Sequence, residues 1–80
     1  MTNSLQTGLY EHYKGRHYEV KGIARHSETG EQLVVYRALY GDFGLWVRPL
    51  SMFTELVTVD GVTLPRFRFL HKISPEHTVR

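Results

Sequence analysis

Residues 25–29 hold the side-chain types most able to do chemistry. They supply a cation, an imidazole, a hydroxyl and a carboxylate within five consecutive positions. His26 could act as a base near neutral pH, and Glu28 could orient its ring or bind a metal. The alternative is a structural hairpin loop, because Ser, Thr and Glu readily hydrogen-bond to nearby backbone. Ser27 is a weaker candidate for a nucleophile, since the Gly-x-Ser-x-Gly turn that exposes such a serine is missing.

Three histidines raise the question of a metal site. His12 and His17 flank a turn at Lys14 and Gly15, and His26 would be a third ligand if the strand ends converge. A catalytic zinc needs three protein ligands held together, and this spacing on a tight hairpin is not a zinc motif. The chain has no cysteine, which excludes disulfides, thiolate ligands and thiol nucleophiles. We predict no metal site and no cofactor.

Trp46 and Arg48 form a candidate binding pair. They alternate with Leu45 and Val47, so they share one face of a short strand. If Leu45 and Val47 fill the core, Trp46 and Arg48 point outward together, and both residue types are enriched at interaction hot spots. In the alternative, Trp46 closes one end of the domain and Arg48 pairs with a carboxylate such as Glu55.

A mild basic cluster lies near the C-terminus, at Arg66, Arg68 and Lys72. Such a basic edge could contact phosphates. We favour a second explanation, in which these charges and Pro65 protect an edge strand from aggregation. The glycines are dispersed rather than grouped into a phosphate-binding loop.

Hydrophobic periodicity predicts strands to position these residues. Residues 17–25 alternate with period two, which indicates a half-buried strand that places Ile23 on its polar face. Gly22 suggests a bulge or bend in that strand. Residues 33–40 are apolar on both faces, which is typical of a strand inside a sheet.

The second half of the chain predicts a hairpin after a single helical turn. Residues 51–53 suit that turn, with Ser51 as a possible cap. Asp60 and Gly61 are typical of a type I′ hairpin, which residues 62–70 would complete, with Pro65 at an edge or a bulge. The pattern favours an all-β antiparallel fold of five or six short strands. The closest analogy is a small SH3-like barrel with at most one short helical turn.

Length and composition set the limits of the chain. With 80 residues it forms a single domain, 1–80, for which we expect an ordered part of about 8–70 and mobile tails at 1–7 and 71–80. A hydrophobic fraction of 41% and a net charge of +2 exclude a disordered chain. Apolar runs are far shorter than the ~20 residues that span a membrane. The first residues do not resemble a signal peptide, so we expect a cytoplasmic protein.

Several segments occur in an order that resembles a family of small bacterial proteins classed as a domain of unknown function. They are GLYEHYKG, YEVKGIARHSETGE, VVYRALYG, LWVRPLSMF and PRF, and the most specific are HYKG, ARHSE, VVYR and WVRP-x-x-MF. The resemblance covers roughly residues 8–70. It implies a short cytoplasmic domain and supplies no catalytic residue.

We predict a non-catalytic module that binds a protein or peptide partner, because so small a domain offers little room for a water-excluding pocket. One alternative is binding of single-stranded nucleic acid or a nucleotide, which the charge of +2 supports only weakly. Another is an accessory or catalytic domain centred on His26 and Glu28. We expect no membrane contact, and a monomer or a weak homodimer paired through residues 33–40. The predicted binding residues are Tyr10, Tyr13, Arg25, His26, Glu28, Trp46, Arg48 and Arg66.

Overall fold

The structure, a computed structural model, describes residues 5–73. Seven strands and one helical turn follow one another in this range. They are β1 (Gly8–His12), β2 (His17–Arg25), β3 (Gln32–Ala38), β4 (Leu45–Pro49), α1 (Leu50–Phe53), β5 (Leu56–Val59), β6 (Val62–Pro65) and β7 (Phe67–His71). The prediction of an all-β fold with one short helical turn is confirmed. The narrower analogy with an SH3-like barrel stays a prediction.

The strands form two antiparallel sheets. The larger has the order β4-β3-β2-β1-β7, and the smaller is the β5–β6 hairpin. Strand β3 pairs with β2 on one side and β4 on the other, as its apolar character on both faces predicts. Asp60 and Gly61 connect β5 to β6 with φ of 52° and 78°, the backbone that a type I′ turn requires.

The bulge predicted at Gly22 is present, and it changes which residues are buried. The pairing of β2 with β3 shifts register between Val20 and Gly22. The extra residue, Lys21, moves the following side chains to the opposite face. Ile23 therefore packs against the core, whereas simple alternation places it on the polar face.

Residues 62–70 form two strands rather than one. β6 ends at Pro65 and pairs with β5, while β7 begins at Phe67 and pairs with β1. Arg66 lies between them, and its backbone N–H donates to the carbonyl of Glu55. Proline has no backbone N–H for a sheet, so the chain changes partners directly after it. β7 consequently becomes one edge of the large sheet.

The inner face of the large sheet holds the core, and α1 covers it. The core residues are Tyr10, Val20, Val34, Tyr36, Phe53 and Phe67, with Leu5, Tyr18, Ile23, Leu50 and Phe69 packed against them. Phe53 is 1% exposed and is the largest fully buried side chain. Ser51 does not cap α1: Pro49 holds the cap position, and no side chain donates or accepts a capping hydrogen bond there.

The N-terminal end of the described range packs against the core. Leu5 contacts the core, and the carbonyl of Gln6 accepts a hydrogen bond from the Tyr10 hydroxyl at 2.7 Å. The predicted tails otherwise include residues 1–4 and 74–80, which lie outside the described residues. Between residues 5 and 73, α1 is too short to cross a membrane.

Candidate functional site

Strand β4 places Trp46 and Arg48 on the same face of the sheet, as their spacing predicts. Trp46 is paired with Tyr36 and Arg48 with Val34. Because paired residues of an antiparallel ladder share a face, Trp46 and Arg48 lie on the inner side, beside the core. Leu45 and Val47 occupy the outer face and do not fill the core, since they are 55% and 58% exposed.

The guanidinium of Arg48 lies over one buried aromatic ring and contacts the hydroxyl of another. Its central carbon lies 5.8 Å from the centroid of the Phe67 ring, within the range of a cation–π contact. Its Nε donates to the hydroxyl of Tyr36 at 3.4 Å. The ion pairs found among residues 5–73 use other cations, so within that range Arg48 has no carboxylate partner. Its two terminal amino groups keep their capacity to bind an anion.

Trp46 supplies an apolar surface next to that cation. Its side chain is 58% exposed, which agrees with a surface position rather than closure of the domain. The indole lies over Gly44, where a methyl group would come within 3.3 Å of Nε1. Glycine at position 44 therefore gives the indole room to lie close to the backbone. We call the set Trp46, Arg48, Tyr36, Phe67 and His12 the aromatic-arginine face.

His12 borders the aromatic-arginine face from β1. Its ring packs edge-on against Phe67, with centroids 5.0 Å apart, and its Nδ1 accepts a hydrogen bond from the backbone N–H of Lys14 at 3.1 Å. Burial lowers the pKa of His12, and the positive charges of Arg66, Lys14 and Arg48 lower it further. This corner of the inner face therefore favours a neutral imidazole and has a positive potential.

A pair of tyrosines lies beside this face. The hydroxyls of Tyr18 and Tyr40 are 2.6 Å apart, and Arg16 lies 4.4 Å from the Tyr40 ring. Burial, together with the hydrogen bond to Tyr40, raises the pKa of Tyr18 to about 12. Tyr18 also packs edge-on against Tyr36 and Phe67. The hydroxyl pair thus ties the β3–β4 turn to the core beneath the aromatic-arginine face.

The loop at residues 25–29, where catalysis was one alternative, is a hydrogen-bonded turn. His26 Nδ1 accepts from the backbone N–H groups of Glu28 at 3.1 Å and Thr29 at 3.4 Å. Arg25 donates to the carbonyl of Gly30, inside the same hairpin. This is the backbone-capping arrangement that the alternative interpretation describes. No group of three His, Asp or Glu residues able to hold a metal occurs among residues 5–73, so the histidines at 12, 17 and 26 do not converge.

The remaining predicted site residues are divided between core and surface. Tyr10 is 4% exposed and belongs to the core, so it is not available to a partner. Arg66 lies near His12 but also forms an ion pair with Glu55 at 3.4 Å. Arg68 pairs with Glu11. Two of the three cations in the predicted basic edge therefore already have carboxylate partners.

Tyr13 and His12 both line a cleft of about 190 Å³. The Tyr13 ring lies 4.6 Å from that of His12, and the Tyr13 backbone N–H donates to the carbonyl of Arg66. The other lining residues come from β1, β6 and β7: Glu11, Leu64, Pro65 and Arg68. The one arginine that lines the cleft, Arg68, is paired with Glu11, which makes the cleft a weaker site than the aromatic-arginine face.

Sequence reasoning missed the residues that form the floor of the face. Tyr36 and Phe67 are 31 positions apart in the sequence, yet their ring centroids are 5.8 Å apart. Alternation in β3 places Tyr36 beside Val34, but only the register with β4 and the placement of β7 bring it under Arg48. The spacing of the histidines suggests only a metal-ligand role for His12, whereas its neighbours in the structure are aromatic rings and cations.

Comparison with known proteins places the chain beside proteins of unknown activity. The model of a family described as "Protein of unknown function (DUF1653)" matches residues 8–69. A crystal structure of a DUF1653 protein from Bordetella bronchiseptica is 38% identical, with a TM-score of 0.79. That match covers 89% of this chain and 94% of the other. No curated protein shows significant similarity to the chain.

Proposed function

Since the chain belongs to the DUF1653 family of proteins of unknown function, its activity has to be inferred from its own surface. We propose that it is a cytoplasmic, non-catalytic module that binds a partner protein. The aromatic-arginine face receives a peptide segment of that partner, and the segment carries a carboxylate next to an apolar group.

The observation that carries this proposal is that the positive charge of Arg48 has no carboxylate partner among residues 5–73. Arg48 is partly buried, and a charge taken out of water is costly unless something else compensates it. Phe67 and the Tyr36 hydroxyl compensate only in part, because they engage one face of the guanidinium and its Nε. A ligand carboxylate would engage the two terminal amino groups in a bidentate pair, the strongest hydrogen-bonding geometry of arginine.

Trp46 supports a peptide ligand rather than a free anion. An exposed indole beside a cation offers apolar contact area at a small entropic cost, which is the usual composition of a binding hot spot. The ligand that fits is a side-chain carboxylate with an apolar neighbour. His26 and Glu28 have no part in this proposal, since the His26 ring is engaged by its own loop.

Nucleic acid is a less favourable occupant. Aromatic rings and arginines also suit single-stranded DNA or RNA. Continuous phosphate contacts need several free cations in a row, however, and Arg66 and Arg68 are paired with carboxylates. With a net charge of +2 the electrostatic attraction is weak.

The single tryptophan makes the proposal directly testable. We would titrate the protein with two short acetylated and amidated peptides, one alternating Glu and Val, the other alternating Lys and Val, and follow Trp46 emission. The Glu/Val peptide should bind and the Lys/Val peptide should not. Arg48→Gln should weaken binding by about tenfold or more, the loss of a charge-assisted hydrogen bond.

Arg37→Gln is the matched control. It removes the same charge from the outer face, where Arg37 donates to the carbonyl of Phe43 and has no carboxylate partner among residues 5–73. Equal weakening by both variants would reveal unspecific attraction and overturn the proposal. So would tight, salt-sensitive binding of mixed single-stranded oligonucleotides together with no response to the Glu/Val peptide.

A further inference from the structure

Strand β4 is a free edge of the large sheet. It pairs with β3 on one side, and no strand among residues 5–73 pairs with its other side. Proteins usually protect such an edge with a bulge, a proline or a charged side chain in the strand. β4 pairs with β3 without a register shift, and its only proline is the last residue, Pro49. Its one charged side chain, Arg48, lies on the inner face, so the edge disfavours a strand with a cation at that position and accepts one with a carboxylate there.

The hydrogen-bonding direction of β4 can be derived from one bond. The backbone N–H of Ala38 donates to the carbonyl of Gly44 at 3.0 Å, so these two residues form a hydrogen-bonded pair. Such pairs recur at every second residue of an antiparallel ladder. Trp46 and Arg48 therefore direct their backbone groups to β3. The N–H and C=O groups of Leu45 and Val47 point to the free edge.

The two faces of this edge are chemically different. On the inner face, an added strand would pass beside Trp46 and Arg48. On the outer face it would pass beside Leu45 and Val47, which are more than half exposed. Side chains alternate between the faces of a strand. An added strand that places an acidic side chain toward Arg48 would place its neighbours against Leu45 and Val47.

We infer that the partner binds as an extended segment that adds a strand to β4; this inference rests on the proposed function. Its backbone pairs with Leu45 and Val47. Alternate side chains are acidic, toward Arg48, and apolar, toward the outer face. This mode of recognition takes affinity from backbone hydrogen bonds and specificity from alternate side chains.

Charge complementarity favours this segment over a second copy of the chain. Two β4 strands paired about Val47 would bring two Arg48 guanidinium groups to the same face of the joined sheet. Strand β4 contains no carboxylate to offset them. An acidic segment supplies that carboxylate and leaves no like charges at the junction.

Backbone methylation of the peptide tests this inference without altering the protein. We would compare the Glu/Val peptide with two versions, one N-methylated at each Val and the other at each Glu. Strand addition directs only alternate N–H groups toward β4, so one version should lose binding by about tenfold or more and the other should keep it. Loss on Val methylation corresponds to an antiparallel strand, and loss on Glu methylation to a parallel one. Equal loss in both versions, or no loss in either, overturns the inference.

Val47→Pro tests the backbone hydrogen bonds between the peptide and β4 by changing the protein instead of the peptide. It removes an N–H that points to the free edge, while Val47→Thr keeps the N–H and a similar shape. Proline should weaken Glu/Val binding by about tenfold and threonine only slightly.

If the peptide binds with dependence on Arg48 but neither methylation nor proline changes its affinity, strand addition fails and the proposed function stands. If no Glu/Val peptide binds, the proposed function itself fails. If the free chain is a dimer that Val47→Pro dissociates, a second copy occupies the edge and the inference is overturned.

Discussion

The rings of Phe53 and Phe67 are stacked, with centroids 4.0 Å apart and an angle of 2° between their planes. This stack joins α1 to β7, and the Phe67 ring also lies beneath the guanidinium of Arg48. One aromatic ring thus belongs to the packed core and to the floor of the candidate site. The placement of Arg48 depends on how well α1 covers the sheet.

We expect Phe53→Leu to lower the free energy of unfolding by about 1–2 kcal/mol and Phe53→Ala by about 3–5 kcal/mol. Both lose the stack on Phe67, and alanine also leaves a cavity. Urea unfolding followed by circular dichroism measures these losses. Met52→Ala, on the exposed side of the same helical turn, should change the value by no more than about 0.5 kcal/mol. Similar losses for Phe53→Leu and Met52→Ala would show that the stack does not stabilise the fold.

A second prediction concerns the contact between β1 and β7. Gly8 has a φ of 137°, and a Cβ atom there would lie 2.6 Å from the carbonyl oxygen of His71. Gly8→Ala must move backbone as well as adopt an unfavourable φ, so we expect it to cost about 1–3 kcal/mol of stability. Gly30→Ala is the control, because Gly30 has a φ of 76° with open space around it. The midpoint temperature of thermal unfolding should be clearly lower for Gly8→Ala than for Gly30→Ala. The reverse order would contradict the close approach of Gly8 to the His71 carbonyl.

Local patterns predicted the strands well but failed where distant segments decide the structure. Apolar side chains on both faces identified β3 as an inner strand, and the glycine at position 22 indicated a bulge. Alternation could not follow the change of face that this bulge imposes on Ile23. Pro65 marked a break, but which strand the chain joins after Arg66 depends on contacts with β1. Trp46 could be assigned to core or surface only once its neighbours on the inner face were known. The site consists of residues from β1, β3, β4 and β7, so its floor could not be derived from spacing.

The raised pKa of Tyr18 predicts that the folded protein loses stability at alkaline pH. The pKa of Tyr18 in the folded protein is raised to about 12, above the ordinary value of 10.0, so the folded state holds this proton longer than the unfolded state does. The free energy of unfolding should therefore fall as the pH rises from about 10 towards about 12. Burial also raises the pKa of Tyr10, which adds to the same slope.

Urea unfolding of the native chain and of Tyr18→Phe across that pH range measures the contribution of Tyr18. The variant should lose stability less steeply with pH, even if the loss of the hydrogen bond to Tyr40 makes it less stable at neutral pH. Identical slopes for the two proteins would show that the Tyr18 hydroxyl titrates normally.

His12 reports on ligand binding through its charged neighbours. Burial and the charges of Arg66, Lys14 and Arg48 hold its pKa below the ordinary 6.5. A carboxylate bound to Arg48 would offset part of that positive charge, so the Glu/Val peptide should raise the pKa of His12 and the Lys/Val peptide should not. NMR titration of the imidazole proton signals, with and without peptide, measures the change.

The same linkage fixes the sign of the pH dependence of binding. A ligand that raises the pKa of His12 binds the protonated form more tightly, so affinity for the Glu/Val peptide should increase as the pH falls below about 6.5, until the Glu side chains themselves begin to protonate. His12→Gln removes this dependence, whereas His17→Gln, an exposed histidine in β2, should preserve it. An affinity that stays constant over this range in the native chain would place the ligand carboxylate away from Arg48, because the charge of Arg48 acts directly on His12.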